Sequence, residues 1–374
     1  MRAAAAALKR LERTWRGLWI RVLTRLMRRS GRVERPDWGA RPHRVLFLRH
    51  DRIGDMILST GLVRVIATSH RTITLDVLAS PLNAPVLRED PSVGSVVVFD
   101  RKKPFSYVDT LRRLRTARYD AVIDCMPTAP SLTTLLLMLA SGARHRIGVA
   151  GRGNDAAFTL LVRPTPGATH IVDQLAALAA AFDVDPGSAD FRPRLYLTDG
   201  ERSQASATWR THGAEGSRRR FLVNVSSGRA FRRWPDHRFV TAIRHVLARD
   251  PELAVAVIGG PAEWNRAAAI ARDAGVPFVR TATLREALAL VASADLLFTP
   301  DTGLAHAASA FARPAVIMHI SGTAAQWGPY GAPGHALASP GPSLASLPVE
   351  PVLQALERLL GEQVAPQARA FAGG

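Results

Sequence analysis

The chain has 374 residues, above the size of one average domain, so two domains are expected. Apolar residues make up 47%, which excludes a disordered chain, and the single cysteine, Cys125, excludes an internal disulfide and a cysteine-based zinc site. The formal charge is +18, carried almost wholly by arginine, with Lys9, Lys102 and Lys103 the only lysines. That bias fits genomic base composition, so the charge alone does not point to nucleic acid, and no zinc spacing or aromatic RNA-binding motif adds to it.

The first 44 residues hold 13 basic and three acidic residues. Leu8, Leu11, Trp15, Leu18, Val22 and Leu26 recur at helical steps, with Trp19 and Leu23 widening the stripe. This predicts an amphipathic helix with an Arg-rich polar face, suited either to an anionic membrane surface through residues 1–30 or to the protein's own surface. Arginines and Glu12 break the run too early for a secretory leader, and no stretch is apolar for long enough to span a bilayer. Residues 31–43, with Gly31, Pro36, Gly39 and Pro42, read as a linker.

From Arg44 apolar strands alternate with helical stretches. Strands are expected at 44–49, 72–78, 95–99 and 121–124, with helices at 55–66, 81–87, 108–118 and 131–140. A polar stretch, 211–220, marks a domain boundary, giving a first domain over 44–213 and a second over 214–348. The second cycle has strands at 221–225, 254–258, 296–298 and 315–319, and helices at 239–248, 262–274, 284–292 and from 303. A helix at 349–360 ends the regular structure, and the Ala/Gly/Pro tail to 374 is expected to fray. Such alternation predicts two parallel sheets with helices on both faces, Rossmann-like halves with ligands at the carboxyl ends of their strands.

Three strand-to-helix segments carry the chemistry. Arg49-His-Asp-Arg-Ile-Gly-Asp55 puts Gly54 and Asp55 at a helix start, where a carboxylate either stabilises the helix dipole or serves as a general base. Arg49 and Arg52 there are either binders of an anionic acceptor or partners of Asp51 and Asp55. Asn224-Val-Ser-Ser-Gly-Arg-Ala-Phe-Arg-Arg-Trp-Pro235 offers Ser226, Ser227 and Arg232 to phosphate oxygens. Pro300-Asp-Thr-Gly-Leu-Ala-His306 puts Asp301, Thr302 and Gly303 at another helix start, with His306 one turn in. Asp-Thr-Gly also marks aspartic proteases, but those pair two such loops in β-rich folds, whereas this chain has one copy in an α/β pattern.

Together with Gly259-Gly260-Pro261 and Trp327-Gly-Pro-Tyr-Gly331, these segments make the chain resemble glycosyltransferase family 9, the ADP-heptose–lipopolysaccharide heptosyltransferases, over about residues 44–340. The resemblance implies a GT-B fold: two Rossmann-like domains with a cleft between them, the acceptor mainly on the first, the nucleotide-sugar on the second, and a C-terminal helix returning toward the first. It implies inverting transfer without a metal ion or other cofactor, the substrate being a nucleotide diphosphate sugar such as ADP-heptose. Asp55 then becomes the base, and Ser226, Ser227, Arg232, Asp301, Thr302, Gly303 and His306 the donor site. Glu263, after Gly-Gly-Pro at a further helix start, is placed for ribose or sugar hydroxyls, while Arg49, Arg52 and Gly54 line the acceptor side.

Three positions depart from the family pattern: Gly61 in place of proline, Arg232 in place of lysine, and Ile320-Ser-Gly-Thr-Ala324 in place of Phe-Gly-Pro-Thr-Asp. Two other readings keep the scaffold: transfer to a protein or a different glycan, or a non-catalytic basic protein of membrane surfaces. A cytoplasmic enzyme, peripheral on the inner face of the cytoplasmic membrane, is the expected setting.

Overall fold

The computed structural model describes residues 2–28, 33–126, 131–214 and 219–361, with side chains of the first helix described at Thr14–Trp15 and from residue 17 onward. The expected fraying after 360 therefore lies largely outside the described residues. The chain divides into two compact units, Met1–Phe191 and Arg192–Gly374.

The first unit runs α1 (Arg2–Arg28), β1 (His43–Arg49), α2 (Ile53–Ser69), β2 (Ile73–Ala79), β3 (Val96–Val98), α3 (Pro104–Ala117), β4 (Ala121–Asp124), α4 (Leu132–Ser141), β5 (His145–Val149), β6 (Leu160–Val162) and α5 (Ile171–Ala176). Its strands are all parallel, in the order β3-β2-β1-β4-β5-β6. β1 is apolar on both faces because helices cover both, and six of its seven residues are buried. α2 is buried from Gly54 to Val63, which explains a helix apolar nearly all round. Ser131 caps α4, and Gly142 ends it with a left-handed φ of +63°.

The second unit runs α6 (Asp199–Thr211), β7 (Arg220–Asn224), α7 (Asp236–Arg249), β8 (Ala254–Ile258), α8 (Trp264–Ala274), α9 (Leu284–Ser293), β9 (Leu296–Pro300), α10 (Gly303–Ala310), β10 (Ala315–His319), α11 (Ala324–Trp327), β11 (Gly334–Ala338) and α12 (Glu350–Gly361). Its five parallel strands follow β11-β10-β9-β7-β8. This is the shorter doubly wound order, so the two halves share an architecture but not a strand plan.

Several expectations change. The division falls at Phe191/Arg192 and not at 213/214, because α6 packs along α9 in the second unit. Glu201 receives Arg285 Nε at 2.7 Å, and Trp209 Nε1 donates to Ser293 Oγ at 3.0 Å. The predicted linker is no free tether: Trp38 is fully buried, donates to Ala181 O at 2.7 Å and stacks on Phe182 at 4.6 Å. The terminal helix, α12, gives Val352, Leu356 and Leu359 to the core of the second unit, against α7, β10 and β11. The segment expected as a helix at 81–87 is a short 3₁₀ turn, Ala84–Leu87, and β5, β6 and β11 are strands the pattern did not announce.

The N-terminal helix packs one side on the protein's own surface. Leu23 and Met27 are buried in the first core with Ile20 half-buried against it, and Arg146 Nη2 donates to Met27 O at 3.0 Å. Trp15, Leu18, Trp19, Val22 and Leu26 remain exposed.

Candidate functional site

In each unit most of the candidate site residues gather where the strand order reverses, at the carboxyl ends of the strands flanking the reversal. There neighbouring connections leave in opposite directions and open a crevice for ligands.

In the first unit the reversal lies between β1 and β4, with Leu48 opposite Asp124. Arg52 is the exposed residue before α2, while Gly54 and Asp55 occupy its first turn, Asp55 only 8% exposed. Gly54 sits inside the helix, outside the left-handed region, so no unusual turn calls for a glycine there. Arg49 is fully buried at the end of β1. Its Nη2 lies 3.4 Å from Asp55 Oδ1, its Nε donates to Asp55 O at 3.1 Å, and its Nη1 donates to Cys125 O at 2.8 Å. Asp51 is a further partner at 3.4 Å.

Arg49 is therefore a partner of the carboxylates, which corrects its reading as an acceptor binder. Burial works against its charge, but Cys125, Asp51 and Asp55 outweigh that and hold its pKa above the ordinary value.

Sequence reasoning missed the neighbours. Asp124 ends β4, buried, and accepts from Met126 N at 3.0 Å; desolvation pushes its pKa up to about 6 despite Arg152 and Arg49 nearby. His50 is pushed down to about 4 by burial and by Arg101, so it is neutral near pH 7. Asn83 Nδ2 donates to Arg49 O at 3.0 Å and ties the next connection to β1. The one signal in the sequence was position, since Asp124 closes an apolar strand.

In the second unit β7 pairs with β8 on one side and β9 on the other, and the polar cluster sits at their ends. Asn224, fully buried, organises it: its Nδ2 donates to Thr299 Oγ1 at 2.9 Å and Thr302 Oγ1 at 3.2 Å, and its Oδ1 accepts from Ser226 N at 3.1 Å. Gly228 follows with φ +62°, the left-handed turn that glycine makes at least cost. Trp234 leaves the site for the core, donating to Leu347 O at 2.9 Å.

Ser226 and Ser227 are less free than expected. Ser226 Oγ accepts from Gly260 N at 2.7 Å, and Ser227 gives both N–H (2.9 Å) and O–H (3.2 Å) to Glu263. Of this pair the Ser226 hydroxyl keeps its proton for a ligand, whereas Ser227 is a loop anchor. Glu263 is correspondingly a clamp, buried and with Arg233 (3.4 Å) and Arg266 (3.5 Å) beside it.

Arg232 Nη1 donates to Asp301 Oδ2 at 2.9 Å, and its buried Nε has no hydrogen-bond partner. His306 Nε2 and His319 Nδ1 each lie 3.9 Å from Asp301. His319, at the end of β10, is fully buried, and burial lowers its pKa, so it too is neutral near pH 7. In the sequence His319 is marked only as the end of the apolar run 315–319. Thr302 caps α10 without a side-chain capping bond, because Asn224 engages its hydroxyl. The first amides of α10 therefore open toward this cluster with the positive end of the helix dipole. No group of three or more His, Cys, Asp or Glu able to hold a metal occurs among the described residues.

Comparison with known proteins bears on this arrangement. Lipopolysaccharide heptosyltransferase 2 of Salmonella typhimurium is 24% identical over 301 residues, 74% of this chain and 82% of that protein. The Escherichia coli protein of the same name is 23% identical with the same coverage. Among solved structures, a family 9 glycosyl transferase from Veillonella parvula gives a TM-score of 0.76 at 18% identity, covering 87% of this chain and 99% of that one. E. coli ADP-heptose lps heptosyltransferase II gives 0.68 at 20% identity, over 86% and 99%. E. coli heptosyltransferase WaaC, solved with ADP, gives 0.69 at 19% identity, over 84% and 99%. The fold is that of these GT-B enzymes. The profile of "Glycosyltransferase family 9 (heptosyltransferase)" matches residues 108–346, well over half of the chain, and the protein belongs to that family of sugar-transferring enzymes.

Proposed function

We propose that this enzyme transfers heptose, with inversion, from ADP-heptose to a lipopolysaccharide core or related anionic glycan. The observation that carries the reading is the anion-ready corner of the second unit. There the open start of α10 and the unpartnered Nε of Arg232 converge at the β7/β9 reversal. Relatives named for ADP-heptose and for lipopolysaccharide support the choice of donor and acceptor. The enzyme then works in the cytoplasm with its donor, on the inner face of the membrane that carries the acceptor.

In this reading an acceptor hydroxyl oxygen attacks the anomeric carbon while the bond from that carbon to the diphosphate oxygen breaks. The hydroxyl proton passes to the Asp55 carboxylate, and ADP leaves with the bonding pair. Single displacement inverts the anomeric centre. Arg49 acts through Asp55 as a positioning residue, because its buried guanidinium fixes the carboxylate's orientation. Charge on the departing diphosphate is met by the α10 amides, Arg232 and the Ser226 hydroxyl, donors set in place before reaction.

Asp55→Asn should abolish transfer while leaving ADP affinity unchanged, since an amide cannot take the proton. Arg232→Ala should weaken ADP at least tenfold by calorimetry, as expected from about 1.5–3 kcal/mol for a hydrogen bond to a charged group. Near-normal turnover by a folded Asp55→Asn enzyme removes Asp55 from the mechanism, and unaltered ADP binding by Arg232→Ala removes the arginine from the donor site.

A further inference from the structure

The first unit carries a surface that the transfer chemistry does not use. α1 has two apolar stripes, one docked and one open. At ~100° per residue, Ile20, Leu23 and Met27 form one side of the helix, while Trp15, Leu18, Trp19, Val22 and Leu26 form a second, about a quarter-turn or more away. The first is packed on the core. The second is exposed for three turns, with Trp15 at 61% and its ring 5.8 Å from that of Trp19. Exposed Arg21, Arg25 and Arg28 lie on its far side.

The open stripe does not stand alone. α4 packs against α1 and against α3. The inner sides of all three helices join one core cluster with Leu46, Leu48, Leu78 and Val122 of the sheet. They therefore form one layer, whose outer sides face the same way. α4 presents Leu136 and Leu139 there, and α3 presents Phe105 at 88% exposure, Val108 at 69% and Leu111. Lys102 and Lys103 precede these residues, and Arg112 and Arg115 follow one turn on, all exposed.

α1 and residues 101–118 together hold 15 basic and two acidic residues, and α4 holds none of either. A second copy brought face to face would set this positive rim against itself. An apolar face with paired tryptophans and an arginine–lysine rim matches an anionic bilayer, whose headgroups take the cations while the apolar side chains enter the acyl boundary. No described helix is long and apolar enough to cross a membrane.

We propose that the outer face of α1, α4 and α3 is a docking surface for an anionic phospholipid bilayer. It extends the membrane contact beyond the N-terminal helix to two helices of the first unit, and it stands whatever sugar the enzyme transfers.

The test uses the full chain with phosphatidylcholine vesicles, with and without phosphatidylglycerol. The native protein should sediment with the anionic vesicles, and brominated lipid should quench its tryptophan fluorescence. The double variant Phe105→Glu/Val108→Glu on α3 and the variant Trp19→Glu on α1 should each weaken binding at least tenfold. Because these side chains are exposed, both variants should keep the native melting temperature and ADP binding. Full vesicle binding by the α3 double variant, or equal binding to neutral vesicles, overturns the proposal. So does a dimer that the same substitutions dissociate. Should a variant fail to fold, bromolipid quenching of the native chain still decides, and its absence overturns the proposal.

Discussion

Asp124 illustrates how a strand end changes an ordinary carboxylate. Burial raises its pKa from 3.8 to about 6, so the folded chain holds this proton at a pH where the unfolded chain has released it. Stability is then lost as pH rises from about 4 through about 6, by about 3 kcal/mol in full. Asp124→Asn keeps the size and a carbonyl for Met126 N–H but does not titrate. We expect the variant to be the more stable one by up to about 3 kcal/mol near pH 7, with the gap closing toward pH 4 in urea unfolding. A gap independent of pH would show that Asp124 does not titrate in this range. Arg49 makes a related point: its sequence neighbours left two roles open, and only the buried contacts with Asp51 and Asp55 choose between them.

At the scale of elements, α6 is tied to α9 by the Glu201–Arg285 ion pair and the Trp209–Ser293 hydrogen bond. Thr198 and Glu201 form a capping box at its start, a pattern visible as Thr-x-x-Glu in the chain. The same Glu201 also grips Arg285, which holds its pKa down at about 2. A carboxylate with a depressed pKa contributes its stability fully above about pH 4.5 and loses it as pH falls through about 2. Glu201→Gln should therefore cost about 2–4 kcal/mol at neutral pH, since it leaves Arg285 buried without its charge partner. The gap to the native chain should shrink between about pH 4.5 and 2 in denaturant titrations. A constant gap would mean that the capping box alone matters. The pair also explains why the polar stretch after α6 is not the domain boundary: α6 was already committed to α9.

For the whole molecule, each unit has its own sheet and its own buried cluster. Such a unit meets the usual condition for folding alone. Residues 192–361 expressed by themselves should melt cooperatively and be stabilised by ADP, because the polar corner at the β7/β9 ends is complete within them. Residues 1–191 should fold without responding to ADP. A second-unit fragment that folds but ignores ADP would move the donor site elsewhere; one that stays unfolded would show that its core needs the first unit.

The sequence by itself determined the class of fold and the places where chemistry sits. Apolar runs such as 44–49 and 254–258 are strands because their residues are buried on both faces. The glycines and carboxylates after strands mark the turns where helices begin. Those are local properties, set by neighbours a few residues apart. Strand order was not local: nothing in the runs distinguishes β3-β2-β1-β4-β5-β6 from β11-β10-β9-β7-β8, since pairing joins residues 13 to 76 positions apart. The partners of Asp55, the clamp between Ser227 and Glu263, and the buried His319 beside Asp301 were decided in the same way. So was the division of α1 into a docked and an open stripe, because a periodic pattern shows which residues share a side but not which side another element covers.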